Sequence, residues 1–147
     1  MVFVSYGSLA TWMLIFIGAH HHWKSKAIAE VEGLLDKYYT LLPTHKDASS
    51  TSLSLRLRSI PLEAWENEVP VLDAIIHETT RIAQPHVAMR RNLGPELYIN
   101  NKVIPTDVYV VYPFSDVNLD PKIYPDPWRF DPGRKVTNDT LLPYVGW

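Results

Sequence analysis

Proline placement sets the first limit on how this chain can fold. A proline inside a helix removes a backbone donor and clashes with the preceding turn. Most of the twelve prolines fall from Pro85 onward. Long helices are therefore confined to the part before Pro85, and the part after it must be built from short strands and turns. Just before Pro85, the spacing predicts a helix over Val69–Ile82, centred on His77-Glu78-Thr79-Thr80-Arg81. Pro70 stands at its start, where a missing N–H costs little. Val71, Leu72, Ile75 and Ile76 make an apolar stripe along it. Glu78 and Arg81 are three residues apart, so their side chains share a face. Taken alone, that pair reads as a solvated surface ion pair worth under about 1 kcal/mol.

Composition narrows the class. At 147 residues the chain suffices for one domain with one core. The hydrophobic fraction of 46% is that of a globular protein. A net charge of -2 provides no basic field for nucleic acid. There is no cysteine, which excludes disulfides, zinc thiolates and thiol nucleophiles within these residues.

Val2–Ala19 carries no formal charge, and its eighteen residues reach the lower limit for a membrane span. Lys24 and Lys26 follow, as a signal anchor with a cytosolic C-terminal side would require. Ser5, Tyr6, Gly7, Ser8 and Thr11 favour the other reading, a helix buried in protein. His20-His21-His22 interrupts the segment. Three adjacent histidines point in different directions on a helix, so they read as a polar junction rather than a metal site. Trp23–Thr40 follows as an amphipathic helix with Trp23, Ala27, Ile28, Val31, Leu34 and Leu35 on its apolar side. Leu41–Arg58, rich in Ser and Thr, reads as a surface connection. Ile60-Pro61-Leu62 opens a short helix through Asn67.

Beyond Pro85, His86–Arg91 is a candidate strand. Leu97–Ile99 and Val103–Ile104 flank Asn100-Asn101-Lys102, a hairpin signal. Val108–Tyr112 is a β-branched and aromatic run, hence a further strand. After Pro113 the sequence is turn chemistry: Asp120-Pro121, Tyr124-Pro125-Asp126-Pro127 and Phe130-Asp131-Pro132-Gly133-Arg134. No regular element is expected there.

This ordered set resembles the cytochrome P-450 haem-thiolate monooxygenases: Glu78-x-x-Arg81 on a helix, a proline four residues later, a small hairpin, then a Pro/Asp-rich coil carrying Phe130-x-Pro132-x-Arg134. The style resembles fungal members. The resemblance implies a mainly α fold with a small β-sheet, of which this chain is a part. Residues 1–40 would be the end of the central helix and the helix after it, 41–59 a loop, and 60–82 the helices with Glu-x-x-Arg. Residues 83–113 would be the small β region and 114–147 the coil leading to the haem loop.

The resemblance also assigns roles. Glu78, Arg81 and Arg134 match a buried network in which one carboxylate receives an arginine fork and a second arginine clamps the coil. Arg91, or its neighbour Arg90, would meet a haem propionate. His86, Val87, Ala88 and Met89 would line the substrate side, with His86 an ordinary strand histidine rather than an axial ligand. Ser5 falls near the oxygen-side acid–alcohol pair, with Val4 where an acid is usual, which leaves the usual proton delivery in doubt. Haem, a reductase partner, a small hydrophobic substrate and an endoplasmic-reticulum membrane location come with the family. The thiolate that binds iron in that family has no counterpart here, so the chain reads as a fragment that does not bind haem normally and is inactive as written. The alternative is a small membrane-anchored, non-catalytic protein with a cytosolic interaction domain. A zinc protease fails, because Arg81 stands where His77-Glu78-x-x would need a second histidine.

Overall fold

A computed structural model describes residues 3–39, 52–83 and 87–134, with side chains from Gly7 to Tyr38 in the first of these stretches. The chain divides into two compact units, one of residues 1–79 with 131–134 and one of residues 80–130 with 135–147.

The first unit is helical. α1 (Phe3–Ala19) and α2 (His21–Tyr39) are separated by the single residue His20. His20 closes α1 with its backbone N–H on Phe16 O at 3.1 Å, and its carbonyl accepts the N–H of Lys24 at 3.0 Å in the first turn of α2. Its Nδ1 lies 2.8 Å from the Phe16 carbonyl, so that nitrogen carries the proton. The histidine triplet is thus a helix junction. No described helix is long and apolar enough to cross a membrane.

The stretch read as a surface connection contains a helix, α3 (Leu53–Arg58). Residues 41–51 lie outside the described residues. Two features build α3. Leu57 packs against the core, and Arg56 and Arg58 sit in the last turn, where cations favour the helix dipole. The Leu-x-Leu-x-Leu alternation disguised it, because Leu53 and Leu55 are exposed. α4 (Leu62–Asn67) begins after Pro61, whose carbonyl receives the N–H of Ala64 at 3.1 Å. α5 (Pro70–Ala83) begins after Val69, one residue from the expected start. Leu34, Leu35, Ile60, Ala64 and Val69 form the core, with Val31, Tyr38, Leu57, Trp65 and Leu72 packed on it. The apolar stripe of α5 is only partly buried: Ile75 is fully enclosed, whereas Ile76 is exposed.

The second unit is a nested pair of hairpins. β1 (Val87–Arg91) runs antiparallel to β4 (Tyr109–Pro113), pairing Val87 with Pro113, Met89 with Val111 and Arg91 with Tyr109. Between them β2 (Leu97–Ile99) and β3 (Lys102–Ile104) close on Asn100 and Asn101. Both asparagines have left-handed φ, 47° and 61°, as a two-residue type I′ turn requires. His86 lies outside the described residues. Regularity does not stop at Pro113: a one-turn helix, α6 (Ser115–Asn118), follows before the coil. Ser115, Asp116 and Asn118 signal a turn as readily as a helix, which hid it.

Candidate functional site

The centre of α5 buries four consecutive polar residues, Glu78, Thr79, Thr80 and Arg81. A solvated surface pair is therefore excluded. Thr79 satisfies its hydroxyl by donating to Ile75 O at 2.7 Å, within the helix. Glu78 and Arg81 each reach the coil.

In the first unit, Glu78 Oε1 accepts the backbone N–H of Asp131 at 3.0 Å and Nε of Arg134 at 3.4 Å. The Glu78 and Arg134 side chains are 7% and 13% exposed, so this pair is desolvated. One oxygen thus grips both ends of a turn. Within that turn the Arg134 N–H donates to Asp131 O at 3.0 Å, and the Gly133 N–H to Asp131 Oδ1 at 3.1 Å. In the second unit, Arg81 Nη1 donates to the Asn118 carbonyl at 2.7 Å and Nη2 to the Arg129 carbonyl at 3.5 Å. The Arg81 guanidinium stacks on the buried Tyr124 ring, 4.8 Å from its centroid. Two charged residues of one helix therefore fasten two different parts of the coil. In a low-dielectric setting such contacts fix geometry more than they add net stability.

A model of the family described as Cytochrome P450 matches residues 54–139. The chain belongs to the cytochrome P-450 family. It is 29% identical over 143 residues to the cytochrome P-450 monooxygenase nsrP of Aspergillus novofumigatus, covering 92% of this chain and 26% of that protein. It is 28% identical over 149 residues to the cytochrome P-450 monooxygenase AacuE of Aspergillus aculeatus, covering 96% of this chain and 28% of that protein. The retinoic acid-bound cyanobacterial CYP120A1 shares the fold with a TM-score of 0.53 at 21% identity, over 85% of this chain and 24% of that one. The chain thus spans about a quarter of the length of the curated relatives it matches. Haem is the cofactor of the full-length cytochrome P-450 proteins.

The remaining residues expected in a P-450 site fall as follows. Arg91 Nη2 lies 3.2 Å from Asp107 Oδ1, and its guanidinium stands 5.7 Å from the Tyr109 ring centroid. Arg90 Nη1 donates to the Met89 carbonyl at 3.0 Å, at the surface. Successive strand residues alternate faces, so Val87, Met89 and Arg91 share one face and Ala88 and Arg90 the other. Ser5 and Val4 lie on α1, with side chains outside the described ones. As a test of fit, the first face offers an apolar strip of Val87, Met89 and Val111 ending in a guanidinium, which suits an apolar ring system with a carboxylate edge. Asp107 would have to yield Arg91 to that carboxylate. For the iron itself these 147 residues hold no thiolate donor.

Sequence reasoning missed several partners. Asp131 could have been found from its Asp-Pro-Gly turn. Asn118 and Tyr124 gave no signal, because their roles depend on where the coil doubles back.

Proposed function

We propose that this chain is the clasp-bearing part of a haem-dependent monooxygenase that oxidises small hydrophobic substrates with O2, fed with electrons by a reductase partner. The observation that carries the reading is the single Glu78 oxygen gripping the Asp131 N–H and the Arg134 guanidinium in a desolvated setting. Such a clasp holds an irregular coil in one place, as a loop presenting a metal ligand demands. Haem, when bound, supplies the oxygen-activating chemistry. This chain's residues would hold its edge, with Arg91 on a propionate and Val87 and Met89, on the same strand face, against its apolar body. By themselves they supply no thiolate to the iron.

Two measurements test this. Haem added to the purified 147-residue chain is expected to give no thiolate-type band in the reduced carbon monoxide difference spectrum. The same band should survive in a chimera of the nsrP protein carrying residues 54–139 of this chain in place of its own stretch, and Glu78→Ala should abolish it there. A folded chimera without the band, or one that keeps it after Glu78→Ala, refutes the reading.

A further inference from the structure

Glu78 and Arg134 meet only if α5 and the coil are held at the right separation, and one face of α2 touches both. Trp23, Ala27, Glu30 and Leu34 recur at spacings of four, three and four, so they line one side of that helix. Ala27 and Leu34 are buried. Glu30 binds the start of α5: its Oε1 accepts the Val71 N–H at 2.8 Å and its Oε2 the Leu72 N–H at 2.9 Å. These are two of the N–H groups that a helix start leaves unpaired, and a carboxylate there also suits the helix dipole. Two turns away along the same stripe, Trp23 abuts the coil.

The contact is with Gly133. A Cβ built on Gly133 would stand 3.3 Å from both Cη2 and Cζ2 of Trp23, and 3.4 Å from Asp131 Oδ1. Those separations are below the optimum for carbon pairs, so any side chain must displace the ring or open the turn. Gly133 does not have a left-handed φ, so space, not backbone freedom, favours a glycine here. The ring itself is flanked by Lys26 Nζ, 4.7 Å from its centroid, and by the His22 ring at 5.5 Å.

We infer that Trp23 is a positioning residue for the Glu78 clasp, its indole setting the depth at which the 131–134 turn seats and so the place where Arg134 reaches Glu78. The inference rests on the reading of that clasp as the hold on the coil. Its two sides are adjusted from one helix, α5 through Glu30 and the coil through Trp23.

The reporter is the Asp131 amide, whose exchange rate reads the bond to Glu78 directly. Hydrogen exchange is followed on the full 147-residue chain at low micromolar concentration, with the Asn92 amide, bonded to Val108 O at 3.0 Å, as the control for folding. Glu78→Ala, which removes the acceptor, should speed Asp131 exchange by about tenfold, the factor equivalent to one lost hydrogen bond of ordinary strength. Gly133→Ala should speed it several-fold with Asn92 unchanged. In a Trp23→Leu background, which removes the two crowding ring carbons, Gly133→Ala should add nothing further. A Gly133→Ala effect that persists undiminished in Trp23→Leu, or no effect of Gly133→Ala where Glu78→Ala has one, overturns the proposal. No effect of Glu78→Ala overturns the clasp reading instead.

Discussion

Asn92 shows how far one side chain can organise an irregular region. Its Nδ2 reaches the carbonyls of Pro95 at 3.0 Å, Ile104 at 3.2 Å and Pro105 at 3.2 Å, while Oδ1 accepts the Gly94 N–H at 3.1 Å. Its backbone closes the ribbon as well, with its N–H on Val108 O at 3.0 Å and the Asp107 N–H on its carbonyl at 2.7 Å. Pro95, Pro105 and Pro113 punctuate the hairpin region and lack N–H donors, so a side-chain amide does what a backbone ladder cannot. The substitution Asn92→Asp keeps the shape but points a carboxylate oxygen at three carbonyls. It is expected to cost about 2–3 kcal/mol, the range for a lost bond plus a stranded buried group. Asn92→Ala should cost less, and acid that protonates the new carboxyl should relieve part of the Asp penalty. Urea unfolding at two pH values checks this. Equal losses for Asp and Ala would show that the amide only fills space.

At the scale of elements, the end of α2 is tied to the end of α4 by an exposed clip. Glu68 accepts from Lys37 Nζ and from the Tyr38 hydroxyl, the latter at 2.7 Å. The Lys37 hydrogen bond, then that of Tyr38, lowers the Glu68 carboxyl below its ordinary value, and the bond to Glu68 raises the Lys37 ammonium. A depressed carboxyl contributes stability that is present above its unfolded value and lost as pH falls through the folded one. A raised ammonium contributes below its unfolded value, and that is lost as pH rises through the folded one. The denaturation midpoint should therefore fall at both ends of the pH range, and Glu68→Gln should flatten the acid limb in particular, by an amount that salt reduces. A limb unchanged by Glu68→Gln would remove the clip from the account. Elements of this kind also mark where the sequence was readable. The helices around Trp23 and Glu78 and the Asn100-Asn101 hairpin were legible because periodicity and turn chemistry are local. α3 and α6 were not, since one or two turns leave no period to count. For the site, Glu78 and Arg134 could be paired by resemblance. That Arg81 spends its donors on the Asn118 and Arg129 carbonyls depended on the path of a coil with no repeating pattern.

At the scale of the whole molecule, the apolar surface that the chain leaves in water decides its behaviour. Trp12, Leu14 and Ile15 on α1 are exposed, and so is Ile28 on α2. Among the described residues of the second unit, the β1–β4 ribbon pairs with no further strand and exposes Met89, Tyr109, Val111 and Tyr112. Two-stranded ribbons are marginal alone, and unpaired edges beside apolar side chains invite pairing with another chain. Among the described residues each unit encloses only a small core, so little opposes rearrangement towards shared burial. The 147-residue chain is therefore expected to self-associate as its concentration rises, with light scattering reporting a mass that grows across the micromolar range. Because α1 exposes Trp12, Leu14 and Ile15, Leu14→Asp with Ile15→Lys should shift that growth to higher concentration. Charges on the apolar face of the ribbon, at Met89 and its cross-strand partner Val111, should do so independently. A single monomeric mass at all concentrations, with one cooperative thermal transition, would show instead that these faces are satisfied within one chain, and both sets of charge substitutions would then leave the mass unchanged.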